Sequence, residues 1–211
     1  MPEEVIVYGD QRSTYVRTVL MACEEKGVAY QSQRMVPHSE ELMALNPFGK
    51  IPAFRHGELV LHETSAITRY LDEAFQGPPL QPADIVARAH MNQWISSVED
   101  YIYEWMVRRY LLQYLFPSGE DGTPDRSTID ASTEVIQKQL AVIDAAYGGR
   151  QFLIGESQTL ADLFLLPILS YLKEMPEGSR MMAELPNIGI AWSAAAGRDS
   201  FKRTAPVWER R

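Results

Sequence analysis

The pattern of apolar and polar positions changes character near residue 80. Before that point short β-type runs alternate with helical ones. Residues 4–8, EVIVY, are a brief strand-like run broken by Gly9-Asp10-Gln11-Arg12. From Ser13 to about Lys26, the residues Val16, Val19, Leu20 and Cys23 recur three or four apart, which is the spacing of one helix face. Gly27 stands where a helix-ending glycine belongs. Residues 29–34 predict a second strand and 39–45 a short helix or irregular turn. Two more strands are expected at 51–54, opened by Pro52, and at 59–61, with His56-Gly57 turning between them. A helix over 63–75 follows, with Ala66, Ile67, Tyr70 and Leu71 on its apolar side.

The segment from Gln76 to Pro82 carries three prolines in seven residues and reads as a linker. Beyond it the chain reads helical throughout. Residues 83–116 predict one very long helix, or two joined by a kink, and 117–126 a polar loop. Residues 127–147 predict a helix with Ile129, Val135, Ile136, Leu140 and Ile143 on its apolar side, stopped by Gly148-Gly149. Thr159, followed three residues later by Asp162, resembles a capping box opening a helix over 160–173 that is apolar nearly all round. Short helices near 177–184 and 186–196 complete the series. The expected division is a first domain over 1–76, a linker over 77–84 and an all-helical domain over 85–211. The first domain's order, βαβαββα, is a thioredoxin-like α/β layout.

At 211 residues the chain has room for two small domains. No apolar run approaches the roughly 20 residues of a membrane span. The opening MPEEVIVYGD is acidic and unlike a secretory signal. A lone cysteine, Cys23, excludes an internal disulfide and a cysteine-rich zinc site, and these points together lead us to expect a cytoplasmic protein. His56, His62 and His90 lack metal-ligand spacing. A net charge of −8 argues against a nucleic-acid partner and says nothing against a small anionic ligand.

The stretch from Asn46 to Ile67, NPFGKIPAFRHGELVLHETSAI, holds the densest candidate chemistry. An X–Pro bond such as Ile51–Pro52 can be cis. In that form the backbone of Ile51 would turn outward at the sheet edge, where it could pair with an extended peptide. Glu63, Thr64 and Ser65 supply carboxylate and hydroxyl groups at a helix start. NPFGKIPAF followed by HETSAI is similar to the glutathione-binding half of cytosolic glutathione transferases, whose pattern is a loop, a cis-proline strand and Glu-Ser before Ala-Ile. Thr64 stands where that serine usually does and keeps the hydroxyl. VYGDQRSTYVRTVL resembles the serine-type, phi-like or theta-like, branch. The likeness covers essentially the whole chain, more loosely after residue 80.

The resemblance implies a homodimeric detoxifying enzyme that uses glutathione as co-substrate, needs no metal, and attacks a hydrophobic electrophile with the glutathione thiolate. A free thiol of this kind has a pKa of about 8.5. A helix N-terminus and a donating hydroxyl both lower it. Ser13, at the turn into the first helix, meets both requirements, although a helix N-cap is its plain structural role. Tyr8, at the end of the first strand, is the rival hydroxyl. For glutathione binding the resemblance implies Ile51 and Pro52 at the cysteinyl unit, Glu63 and Thr64 at the γ-glutamyl end, and Lys50 with His38 near the glycine carboxylate. An electrophile site between the domains would be lined by Gln11, Arg12, Met106, Arg109, Tyr110 and Gln113. A glutathione-dependent isomerase or dehalogenase, and a non-catalytic glutathione-binding protein, remain as alternatives on the same scaffold.

Overall fold

The computed structural model describes residues 3–117 and 119–206. Contacts gather them into two compact units. The first comprises the described residues up to Pro82 together with those from Ala196 onward, and the second is Ala83–Ala195. The C-terminal segment thus groups with the α/β unit, whereas the sequence pattern left it with the helices.

In the first unit the order is β1 (Val5–Tyr8), α1 (Thr14–Lys26), β2 (Gln31–Gln33), α2 (Glu40–Met43), β3 (Ala53–His56), β4 (Leu59–His62) and α3 (Thr64–Ala74). The sheet runs β2-β1-β3-β4, with β1 parallel to β2 and antiparallel to β3, and β3 antiparallel to β4. Strand β3 starts at Ala53, not at Ile51 as the pattern suggested, because the ladder to β1 begins at the Tyr8–Ala53 pair. The turn is Gly57-Glu58, joining the His56–Leu59 pair. Helix α1 is almost entirely buried. Val16, Val19, Leu20, Met21, Ala22 and Cys23 are fully inaccessible, as are Val7, Phe54, Ile67 and Leu71 of the same unit. Each such aliphatic or aromatic side chain stabilises the fold by about 1.5–3 kcal/mol on burial.

The proline-rich segment is fastened to this unit. Asp72 of α3 accepts from the backbone N–H groups of Leu80 (2.8 Å) and Gln81 (3.1 Å). Lys26 bridges Asp72 at 3.0 Å and donates to the Pro78 carbonyl at 3.2 Å. Lys26 and Asp72 are both nearly inaccessible, so removing either partner would leave the other buried without its ion pair. That anchoring carries the unit to Pro82, past the expected end at residue 76.

The second unit contains α4 (Ile85–Ser97), a π-helical continuation over Val98–Leu111, α5 (Leu112–Leu115), α6 (Arg126–Tyr147), α7 (Leu160–Glu174), α8 (Pro176–Ala183) and α9 (Pro186–Gly197). The expected long helix is therefore continuous in sequence but changes winding at Val98. Helix α7 is buried from Leu160 through Leu169, as its unbroken apolar run requires. A short α10 (Asp199–Arg203) was not legible in the pattern. It packs on α1: the Arg17 guanidinium lies 4.3 Å from the Phe201 ring centroid and donates to the Phe201 carbonyl at 3.0 Å. Glu25 of α1 pairs with Arg198 and Ser200.

Candidate functional site

The α/β unit brings three backbone turns together at the carboxyl end of β1. Gly9 follows β1 with φ 143°, and a Cβ there would lie 2.5 Å from Val16 of α1 and 3.0 Å from the Ile51 Cβ. Only glycine lets the turn, the helix and the Ile51 loop approach so closely. Ser13 then caps α1, its Oγ accepting from the Val16 N–H at 3.4 Å, while its own N–H donates to the Asp10 carbonyl at 2.9 Å. The hydroxyl is half-buried and, among the described residues, donates its proton to nothing. Capping uses the oxygen's lone pair, so that proton remains available to an acceptor arriving from outside. The cap role and the thiolate-stabilising role are compatible in one side chain.

The neighbouring hydroxyls are differently placed. Tyr8 is only 3% exposed and packs with Ile6, Leu42 and Ala53. Thr14 is buried. Cys23 is fully enclosed and burial pushes its thiol up, which leaves it a small core hydrophobe.

The loop before β3 is organised by Asn46, which the sequence reading did not single out. Buried Asn46 accepts from the Phe48 N–H (3.0 Å) through Oδ1, and its Nδ2 donates to the Lys50 carbonyl (2.7 Å). The Asn-Pro pair was the available signal, because asparagine side chains bond their own backbone two residues on. Gly49 packs against His38, whose N–H donates to the Gly49 carbonyl at 2.8 Å, so exposed His38 and exposed Lys50 lie on one loop cluster. The Ile51–Pro52 bond is cis. Ile51 makes no backbone hydrogen bond among the described residues. Its N–H and C=O are therefore available to an added peptide.

Glu63 opens α3 with φ 69° and ψ 118°, and its carboxylate makes no cap bond. A non-glycine residue in that region is held there by its surroundings, and such positions cluster at functional sites. Plain capping does not account for this carboxylate, which is exposed. Thr64 is buried and its hydroxyl has no partner among the described residues.

Asp10 was not foreseen either. Its carboxylate accepts from Arg12 Nε (2.9 Å) and a terminal Arg12 nitrogen (2.6 Å), and from Arg34 Nε at 3.1 Å. The hydrogen bond from Arg12 outweighs burial and lowers the Asp10 pKa to about 2. Gln11 reaches the Ser32 hydroxyl at 3.5 Å.

The residues expected from the long helix are grouped within the helical unit. Met106 and Tyr110 are fully buried. The Tyr110 hydroxyl donates to Glu177 at 2.9 Å and accepts from the Gly178 N–H at 3.1 Å, so both of its roles are occupied inside that unit. Tyr114 (2.5 Å) and Arg126 (2.8 Å) reach the same Glu177 carboxylate. Arg109 is paired with Glu104 at 2.9 Å and lies over the Trp105 ring, and Gln113 is half-buried. Among the described residues no cluster of His, Cys, Asp and Glu has the makings of a metal site. No described helix is long and apolar enough to cross a membrane.

Comparison with known proteins bears on the whole chain. Residues 7–79 match the family described as Glutathione S-transferase, N-terminal domain, and residues 102–194 match Glutathione S-transferase, C-terminal domain. Glutathione S-transferase 3 of Zea mays is 31% identical over 94% of this chain and 91% of its own. A stringent starvation protein A homolog of Coxiella burnetii is 27% identical over 97% of this chain and 87% of its own. The theta-class glutathione S-transferase of Xanthomonas axonopodis pv. citri, solved with glutathione bound, superposes with a TM-score of 0.83 at 27% identity, covering 99% of each chain. A two-unit fold with a thioredoxin-like sheet, and sequence kinship along nearly its full length, make this chain a member of the cytosolic glutathione S-transferase superfamily.

Proposed function

We propose that the chain is a serine-type glutathione transferase in which the Ser13 hydroxyl stabilises the glutathione thiolate for attack on an electrophilic carbon. The observation that carries this reading is the Ser13 hydroxyl itself. It stands at the N-terminus of α1, with its oxygen turned to Val16 and its proton donated to no described residue. A thiolate there meets the positive end of the helix and one neutral donor, both of which favour the charged form. The thiolate is the nucleophile, and the thiol it comes from keeps its proton at neutral pH unless something lowers its pKa. The rest of the catalytic gain is positioning. The unpaired Ile51 backbone would hold the cysteinyl unit beside Pro52, Glu63 and Thr64 the γ-glutamyl end, and Lys50 with His38 the glycine carboxylate. The glutathione-bound Xanthomonas relative supports glutathione as the ligand. The electrophile would reach the sulfur past Gln11 and Arg12. The working form would be a homodimer.

The test is calorimetry with glutathione, followed by turnover of an aryl halide, a cis-trans dienoic acid and a chlorinated quinol. Uptake at millimolar concentration with aryl conjugation supports the transferase. Turnover of only the second or third probe would make it an isomerase or a dehalogenase. The Coxiella relative, named a stringent starvation protein A homolog and not a transferase, favours one second reading. That reading is a protein that binds glutathione without turning over any electrophile.

A further inference from the structure

Two guanidinium groups converge on one carboxylate three residues before Ser13. The Asp10 carbonyl accepts the Ser13 N–H, while its carboxylate holds Arg12 from the same turn and Arg34 from beyond β2. Gly9 donates to the Gln33 carbonyl at 2.9 Å, which extends the β1–β2 pairing to the residue before Arg34 and fixes that arginine beside the turn. Two guanidinium groups share this one carboxylate, in a chain whose net charge is −8. Asp10 therefore positions both arginines, and its single negative charge offsets at most one of them. Arg34 bonds through Nε with its side chain 68% exposed, so the outer end of its guanidinium faces solvent. A planar guanidinium end matches a carboxylate in geometry and charge.

We infer that Arg34 and Arg12, held on Asp10, form a cationic rim beside Ser13 that selects electrophiles carrying a carboxylate. The inference rests on the function proposed above and adds a substrate class to it. A group bonded to the glutathione sulfur at Ser13 would extend along this rim. A chain of a few methylenes ending in a carboxylate would place its charge within reach of Arg34. An exposed charge pair at contact distance changes binding by a factor of about 5 to 10, and salt screens it.

The experiment is calorimetry of the wild type with S-hexylglutathione, with S-(5-carboxypentyl)glutathione and with glutathione itself, at low salt and at 0.3 M NaCl. At low salt the carboxylated conjugate should bind about 5- to 10-fold tighter than the neutral one, and the ratio should shrink in high salt. Arg34→Gln should reduce the ratio to about 2 or less, and Arg34→Glu should reverse it, with the affinity for glutathione unchanged. Both variants alter an exposed side chain, and circular dichroism checks that they fold. Equal binding of the two conjugates by the wild type, or an unchanged ratio in Arg34→Gln, overturns the inference and leaves the proposed function standing. Weakening of all three ligands alike in Arg34→Gln also overturns it, by assigning the arginine to glutathione itself. Failure of every ligand to bind overturns the proposed function, and the inference falls with it.

Discussion

At the start of α1, Ser13 offers one oxygen to one backbone N–H over 3.4 Å and remains half-exposed. At the start of α7, Thr159 and Asp162 are 3% and 2% exposed and bond each other reciprocally. Asp162 accepts from the Thr159 N–H and hydroxyl (2.9 and 3.0 Å) and from the Leu153 N–H (2.9 Å). Both are helix caps built from short polar side chains. In the α7 cap each polar group is matched inside the protein, and the surroundings are sealed from water. In the α1 cap a donor is left over among the described residues, and the side chain is half-exposed. A closed cap stabilises the fold, whereas an open one can act on a ligand. Glu63 at the start of α3 belongs with the open kind, because its carboxylate makes no cap bond and its backbone sits at positive φ.

The largest expected effect is on the closed side. Asp162→Ala leaves two buried backbone N–H groups and the Thr159 hydroxyl without their acceptor. It should lower unfolding stability by about 3 kcal/mol or more, read from urea denaturation. A substitution that cost less than 1 kcal/mol would remove the contrast between the two caps. Next is the Glu177 cluster. Burial alone would raise its pKa, but hydrogen bonds from Tyr114 and Arg126 outweigh it and hold the carboxyl at about 2. The folded pKa lies below the unfolded value of 4.5, so the stabilisation is present above pH 4.5 and is lost as pH falls through about 2. Glu177→Gln should therefore destabilise by about 1–2 kcal/mol at pH 7, and the difference from wild type should vanish near pH 2. Denaturation curves at several pH values check both points. The smallest effect belongs to the open cap. Its single long bond is weak, so Ser13→Ala should cost at most about 1 kcal/mol in stability, within reach of a thermal melt.

The sequence disclosed the elements whose cause is local. β1, α1, β4, α6 and α7 follow from apolar spacing and cap residues, and each lies within a few residues of its expected bounds. The Thr159–Asp162 box was readable because both partners lie three apart. What escaped depended on residues far away in the chain. Helix α10 is five residues long, too short for a periodic signal, and is fixed by Arg17 and Glu25 from more than 170 positions earlier. The π-helical winding after Val98 preserves an apolar face, so spacing could not distinguish it. At the candidate site, Ser13, Ile51 and Glu63 were named from motif positions. The positive φ of Glu63 and the convergence of Arg12 and Arg34 on Asp10 have no sequence pattern. Tyr110 drew attention as an aromatic on the long helix. Only its contacts with Glu177 and Gly178 show how fully it is engaged.

The central claim is that the proton of Ser13 stabilises a bound thiolate, and ultraviolet titration of the thiolate absorbance of glutathione bound to wild type and to Ser13→Ala tests it directly. The expected result is a wild-type thiol pKa below the free value of about 8.5 and a rise of about 1–2 pH units in the variant, each unit being about 1.4 kcal/mol of lost thiolate stabilisation. An identical bound-thiol pKa in the two proteins would contradict it and reduce Ser13 to a helix cap.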